Sequence, residues 1–343
     1  MDLHAECYEK LALGMKIQLR QGSSARNLDD LHPLITSHPG QCMLCTDDLK
    51  PADLARGHIN LLVKKCLRLG HDLFDILQCA CVTPVHHYQL GVGLLQKGDP
   101  ADFILVDNLE RMEVGATWIN GEMVGSKGQS LFQAGREMPV NHFHAAPITA
   151  EQLQVQARGP QIKVIEVTDG QIVTGAGRHP VSTDSTMVEA DPQADLLKIL
   201  VHNRYQPAPP AIGFVRGFGL KDGAMAFSIA HDSHNIIAVG VSDLDLAQAV
   251  NLLQESGGGI CFVSGDKEER MELPVAGLMG LGSCEEMAAS YSMVEQKVKE
   301  NGCRLQTPFM TLSFLALPVI PALKITDLGL FDGERFELTD LFV

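Results

Sequence analysis

Two short stretches of this 343-residue sequence carry residue types that can do chemistry. The first is Thr46-Asp47-Asp48, which closes a short apolar run over 42–46. That run predicts a strand delivering acidic groups at its C-terminal end. A carboxylate placed there can ligate a divalent metal and take a proton from the metal-bound water, the two tasks of a hydrolytic metal site. Asp47 is the candidate for both. Thr and Asp are equally good helix caps and turn residues, so an ordinary turn remains the competing reading.

The second stretch is His231-Asp232-Ser233-His234-Asn235, five polar residues between apolar runs at 225–230 and 236–241. Flanking strands would pin such a loop. His231, Asp232 and His234 are then a possible second site for a divalent cation or a polar substrate. A tight turn held by Asx-type hydrogen bonds explains the same residues. Gly257-Gly258-Gly259 follows a predicted helix, so it reads as a C-cap and turn; a phosphate loop would open a helix. Cys42-Met43-Leu44-Cys45 has the spacing of a redox pair or half a zinc site. Its apolar flanks and the lack of a second CxxC favour buried thiols.

The elements that must position these residues follow from periodicity. Helices are predicted over 6–21, 27–35 and 59–69, with the strand 42–46 between them, the rhythm of a β/α barrel whose chemistry collects where strands end. Short strands are predicted at 103–106 and 117–119, and a polar, Gly-rich linker at 125–140. From about 151 a separate unit is expected, with strands near 162–167, 171–175, 225–230, 236–241 and 260–263. Its helices are predicted near 190–201, 243–255 and 285–301. The apolar stretch 308–321 contains three prolines and cannot be one helix; it suits buried packing or a subunit interface, which makes a homodimer an expectation.

Composition sets the outer bounds. Lys and Arg total 27 against 42 Asp and Glu, a formal charge of −15. Such a balance excludes nucleic acid and anionic membrane as default partners, since both need a basic footprint. No apolar run reaches the roughly 18 residues that cross a bilayer, and residues 1–6 lack the features of a signal peptide. An odd count of nine scattered cysteines argues against a disulfide framework and for the cytoplasm.

Several motifs together resemble the adenine deaminases. Gly14-Met15-Lys16, Arg20 through Leu28, Cys45-Thr46-Asp47-Asp48, Gly57-His58-Ile59 and Gly98-Asp99-Pro100-Ala101-Asp102-Phe103 resemble the late barrel of that family. Ala230 through Asn235, Leu273-Pro274-Val275-Ala276-Gly277-Leu278-Met279 and 308–321 resemble its C-terminal part. The resemblance implies a metal-dependent amidohydrolase that attacks the adenine carbon bearing the amino group, giving hypoxanthine and ammonia. It also implies a divalent metal, manganese or iron, and it places Asp47 at the last-strand aspartate that ligates metal and shuttles the proton.

Such enzymes also use a His-x-His pair on their first strand. His142-Phe143-His144 has that spacing but follows the linker, and His86-His87 and His231/His234 likewise lie downstream of the barrel segment. The expected fold is therefore α/β: a partial (β/α) barrel of late strands only, a small β segment and a C-terminal α+β domain. Its expected divisions are 1–86, 87–125, a linker at 126–150, and 151–343. The chain is accordingly expected to lack the N-terminal domain segment and the early barrel strands. A separate chain would then supply the missing barrel half, or the chain would be a non-catalytic remnant or binding module that uses its C-terminal domain for metal, purine or protein.

Overall fold

A computed structural model describes residues 3–24, 26–132, 135, 138–182 and 185–343. The chain divides into two units, one of residues 1–49 and 56–137, the other of 50–55 and 138–343.

In the first unit the helix Leu3–Ala12 runs into Gly14, whose φ of +80° turns the chain toward strand β1, Ile17–Arg20. The helix predicted over 6–21 is thus shorter. The period-2 burial of Ile17 and Leu19 takes over where the helix ends. The segment predicted as a helix over 27–35 forms two single turns, Leu28–Leu31 and Leu34–Ser37, because Pro33 has no N–H to continue the first. Strand β2, Cys42–Cys45, then pairs with β1 in parallel, Ile17 opposite Cys42 and Arg20 opposite Cys45. The helix Ile59–Arg68 lays Leu62, Val63 and Cys66 onto a core shared with Leu19, Leu31, Ile35, Leu44 and Ile76.

The expected partial barrel is corrected here. β1 and β2 form a two-stranded parallel sheet, and the described residues contain no closed barrel and no longer arc of one. Helix–strand–acid–helix is the local rhythm of any parallel β/α unit, and local rhythm says nothing about how many further strands join.

The remainder of this unit is an antiparallel sheet in the order Phe103–Val106, Val114–Ile119, Glu122–Ser126, Gln129–Ser130. Asp102, the last acid of the Gly98–Phe103 motif, accepts the backbone N–H groups of Asn120 (2.7 Å) and Gly93 (2.8 Å), which hold its carboxyl below the usual range. The motif is a backbone clasp. Part of the predicted linker, up to Ser130, is strand.

The second unit is built on an eight-stranded sheet. Its order is Lys267–Glu272, Gly259–Ser264, Ala224–Phe227, Ile236–Gly240, Leu197–His202, Ala211–Arg216, Gln161–Glu166, Gly175–Pro180. All neighbours are antiparallel except Ala211–Arg216 beside Gln161–Glu166. The helix predicted over 190–201 is instead the interior strand Leu197–His202. Every residue of it is buried, Ile199 and Val201 in one core cluster and Leu200 in another. A strand covered on both faces loses its polar alternation, so its apolar run reads as readily as helix.

The helix Asp243–Glu255 packs on one side, opened by Ser242 accepting from the Asp245 N–H. The helices Cys284–Glu300 and Pro308–Phe314 pack on the other, and Pro308–Phe314 is almost wholly buried, so this stretch serves packing within the unit. The turn Pro51–Leu54 lies against Cys284–Glu300, and Lys50 Nζ reaches both Glu295 carboxylate oxygens at 3.0 and 3.1 Å. Among the described residues no helix is long and apolar enough to cross a membrane.

Lys324 is fully buried and donates to the carbonyls of Ile172 (2.8 Å) and Phe314 (3.2 Å). Burial lowers its pKa to about 8. Below pH 8 both folded and unfolded chains hold the proton and the full cost of burying charge is present. Between pH 8 and the ordinary lysine value only the unfolded chain holds it. Stability contributed by this group therefore rises across that window, by about 3 kcal/mol in all. Urea unfolding at pH 8, 9 and 10 should show this upward contribution in the parent and its absence in Lys324→Met. Parallel pH slopes in the two proteins would contradict the assignment.

Candidate active site

The C-terminal ends of β1 and β2 lie side by side, and the loops leaving them are locked to each other by backbone. The Gln21 N–H donates to the Cys45 carbonyl (3.0 Å), and the Ser23 N–H to the Asp48 carbonyl (3.0 Å). Gly22 sits so close that a Cβ on it would lie 2.4 Å from the Thr46 carbonyl oxygen, so no other residue fits without moving one loop. Asn27 closes the first loop, its Oδ1 accepting from the Arg20 N–H (2.7 Å) while its own N–H donates to the Arg20 carbonyl (3.0 Å). Arg26 spans the loop, donating to the carbonyls of Gly22 (3.0 Å) and Ser23 (3.3 Å).

Asp47 stands at the mouth of this frame with a φ of +53°, a left-handed conformation that Asp adopts more readily than most residues. Its Oδ1 accepts the Asp48 N–H at 2.8 Å, and its Oδ2 meets Arg20 at 2.9 Å. The same guanidinium lies 3.7 Å from Asp48. Nε of Arg20 is buried with no hydrogen-bond partner among the described residues. Thr46 is buried and its hydroxyl lies 3.0 Å from His58 Nε2. Burial first, then the Asp47 charge, raises the Cys45 thiol above its ordinary value. All nine cysteines are free, and burial pushes Cys42 up to about 12, so the CxxC pair is not a thiolate site at neutral pH.

Arg20 and His58 were not singled out as site residues from the sequence. Arg20 ends a strand 27 positions before Asp47, and only the parallel pairing of β1 with β2 brings them together. His58 lies in the Gly57-His58-Ile59 motif, but nothing in its sequence neighbours points to Thr46 as its partner.

The His231–Asn235 loop belongs to the other unit and is held as a turn. The His231 N–H donates to the Ser313 carbonyl (3.1 Å), and its ring stacks on Phe314 with centroids 4.5 Å apart. The Tyr205 hydroxyl donates to the Ser233 carbonyl (2.7 Å), and the buried Asn235 accepts the Arg204 N–H (3.2 Å). Asp232 is 79% exposed and its Oδ1 lies 4.0 Å from His231 Nε2. Burial, then Arg204 and His231, lower the His234 imidazole below its usual range. Among the described residues no group of three or more His, Cys, Asp and Glu side chains is placed to hold a metal, in this loop or around Asp47.

Residues 7–124 match the amidohydrolase family, and residues 171–337 match the adenine deaminase C-terminal domain. The chain is 46% identical over 335 residues to an adenine deaminase of Parabacteroides distasonis, covering 98% of this chain and 62% of that protein. It is 46% identical over 340 residues to one of Salinibacter ruber (98% and 62%), and 43% identical over 354 residues to one of Methanosarcina mazei (99% and 63%). The chain thus spans a little over three fifths of the length of these curated relatives.

These matches correct the expectation of a chain confined to late barrel strands and lacking the early barrel segment. The amidohydrolase match begins at residue 7 and takes in β1 and β2. The similarity to these adenine deaminases covers nearly all of this chain and 62% of each of theirs. That expectation rested on finding no His-x-His pair ahead of β1, together with a motif that resembles the family's last strand.

Proposed function

We propose that this chain belongs to the adenine deaminases and acts in the hydrolytic deamination of adenine, adding water and releasing hypoxanthine and ammonia. The observation that carries the reading is similarity at 43–46% identity along 98–99% of the chain to proteins of that name, with both family matches in consistent order. In the proposed reaction water adds at the ring carbon bearing the amino group. Asp47 takes the proton that the water gives up and passes it to the departing nitrogen. Arg20 orients the carboxylate, and the loop contacts at Gly22 and Ser23 hold the strand ends that present it.

Amidohydrolases in general are metal-dependent, and manganese or iron is the metal proposed on the strength of the family. The described residues do not fit a complete metal centre. They offer no set of three ligands, and Asp47 is already paired with Arg20. The His231, Asp232 and His234 loop is assigned a structural part in its own unit, on the strength of its turn contacts. The proposed compartment is the cytoplasm, where nine unpaired thiols stay reduced. Ammonia release from adenine, assayed with manganese or ferrous iron supplied, tests the function. No release above an adenine-free control under either metal would overturn it.

A further inference from the structure

His32, Thr36 and His71 form a hydrogen-bonded row in the first unit that the deamination chemistry does not use. His32 caps the turn Leu28–Leu31, Thr36 lies on the next turn, Leu34–Ser37, and His71 precedes the helix Leu73–Leu77. His32 Nδ1 is 2.9 Å from His71 Nε2, and His71 Nδ1 is 2.9 Å from Thr36 Oγ1. The two rings are tilted by 70° with centroids 5.1 Å apart, and both are partly buried.

Two imidazole nitrogens facing each other at that distance must share a proton or a cation. With His71 Nδ1–H donated to Thr36 Oγ1, the lone pair of His71 sits on Nε2 and points at His32. An oxygen acceptor behind the ring is the arrangement that orients metal-ligating histidines. Zinc–nitrogen bonds of about 2.0–2.1 Å at tetrahedral angles put two ligating nitrogens about 3.3 Å apart, so the nitrogens must part by a few tenths of an ångström and both rings must turn until their lone pairs converge on the metal.

We infer that His32 Nδ1 and His71 Nε2 are the protein ligands of a site for one divalent transition metal of the zinc type, with Thr36 as its orienting acceptor. Water fills the remaining positions, since the described residues place no third His, Cys, Asp or Glu with this pair. On binding, the proton on His32 Nδ1 leaves to solvent and the same ring takes one up at Nε2. Both imidazoles stay neutral, and the metal exchanges two waters for two nitrogens.

The test is calorimetric titration of the chelator-stripped full chain with Zn²⁺ alone. The parent should bind one equivalent more than His71→Gln, and Thr36→Val should keep that equivalent at about tenfold weaker affinity. Equal zinc uptake by parent and His71→Gln overturns the site. Should His71→Gln fail to fold, the imidazole nitrogen resonances of the parent decide. Zinc-dependent shifts at both His32 and His71 support the site, and unchanged resonances overturn it.

Discussion

Replacing Asp47 by Asn is expected to lower ammonia release from adenine by about 10²- to 10⁴-fold, the range a positioned acid–base group supplies, with little change in thermal stability. Asn is the informative substitution for three reasons. It keeps the size of the side chain, it retains a carbonyl oxygen for the Asp48 N–H, and it tolerates the left-handed backbone at this position, where Ala would add strain. What it removes is the charge, and with it the capacity to take a proton. The ion pair to Arg20 weakens too, but Asp47 is 43% exposed, and pairs of that kind contribute about 0–1 kcal/mol. A large loss of kcat beside a nearly constant Tm therefore separates chemistry from folding. Activity near the parent level would remove Asp47 from the mechanism.

Arg20→Lys gives a graded companion result. A lysine can keep the charge but not the planar, two-nitrogen face that now spans Asp47 and Asp48. Turnover should fall by less than in Asp47→Asn, and the adenine KM should stay close to that of the parent.

The site was legible in sequence only where its residues are neighbours in the chain. Thr46-Asp47-Asp48 was found because the apolar run and the acids are contiguous, and β2 does end there. The helix Asp243–Glu255 was legible for a similar reason, since Ser242 supplies a cap and the apolar residues recur at helical spacing. Arg20 was not, because the register that pairs it with Cys45 is a property of two strands separated by 21 residues of turns and loop. The two largest departures of the fold from expectation came from local signals with more than one global meaning. The interior strand Leu197–His202 lost its alternation by being buried on both faces. The β/α rhythm around β2 was extended to a barrel arc that the described residues do not form. The placement of residues 50–55 with the second unit was also invisible in sequence, because it rests on contacts with a helix more than 200 positions away, the Lys50–Glu295 pair among them.

Asp243→Ala is expected to cost the second unit about 3 kcal/mol of stability, the lower end of what breaking a buried ion pair costs. Lys198 stands on the interior strand Leu197–His202 with its side chain 3% exposed, and its ammonium is held by Asp243 and by the Leu153 carbonyl (2.8 Å). Removing the carboxylate leaves that charge buried with one neutral acceptor, and the desolvation of the ammonium is then largely uncompensated. Asp243 itself is 26% exposed, which places the effect at the lower end. Its position in the first turn of a helix adds a smaller loss, about 0.3–1 kcal/mol from the helix dipole. The double variant Lys198→Met/Asp243→Ala separates the two contributions. With no buried charge left to strand, it should recover most of the stability and retain only the dipole deficit. Urea unfolding of the parent, both single variants and the double closes that cycle. A double variant as unstable as Asp243→Ala would place the cost in the helix terminus and would mean that Lys198 is solvated well enough to need no partner.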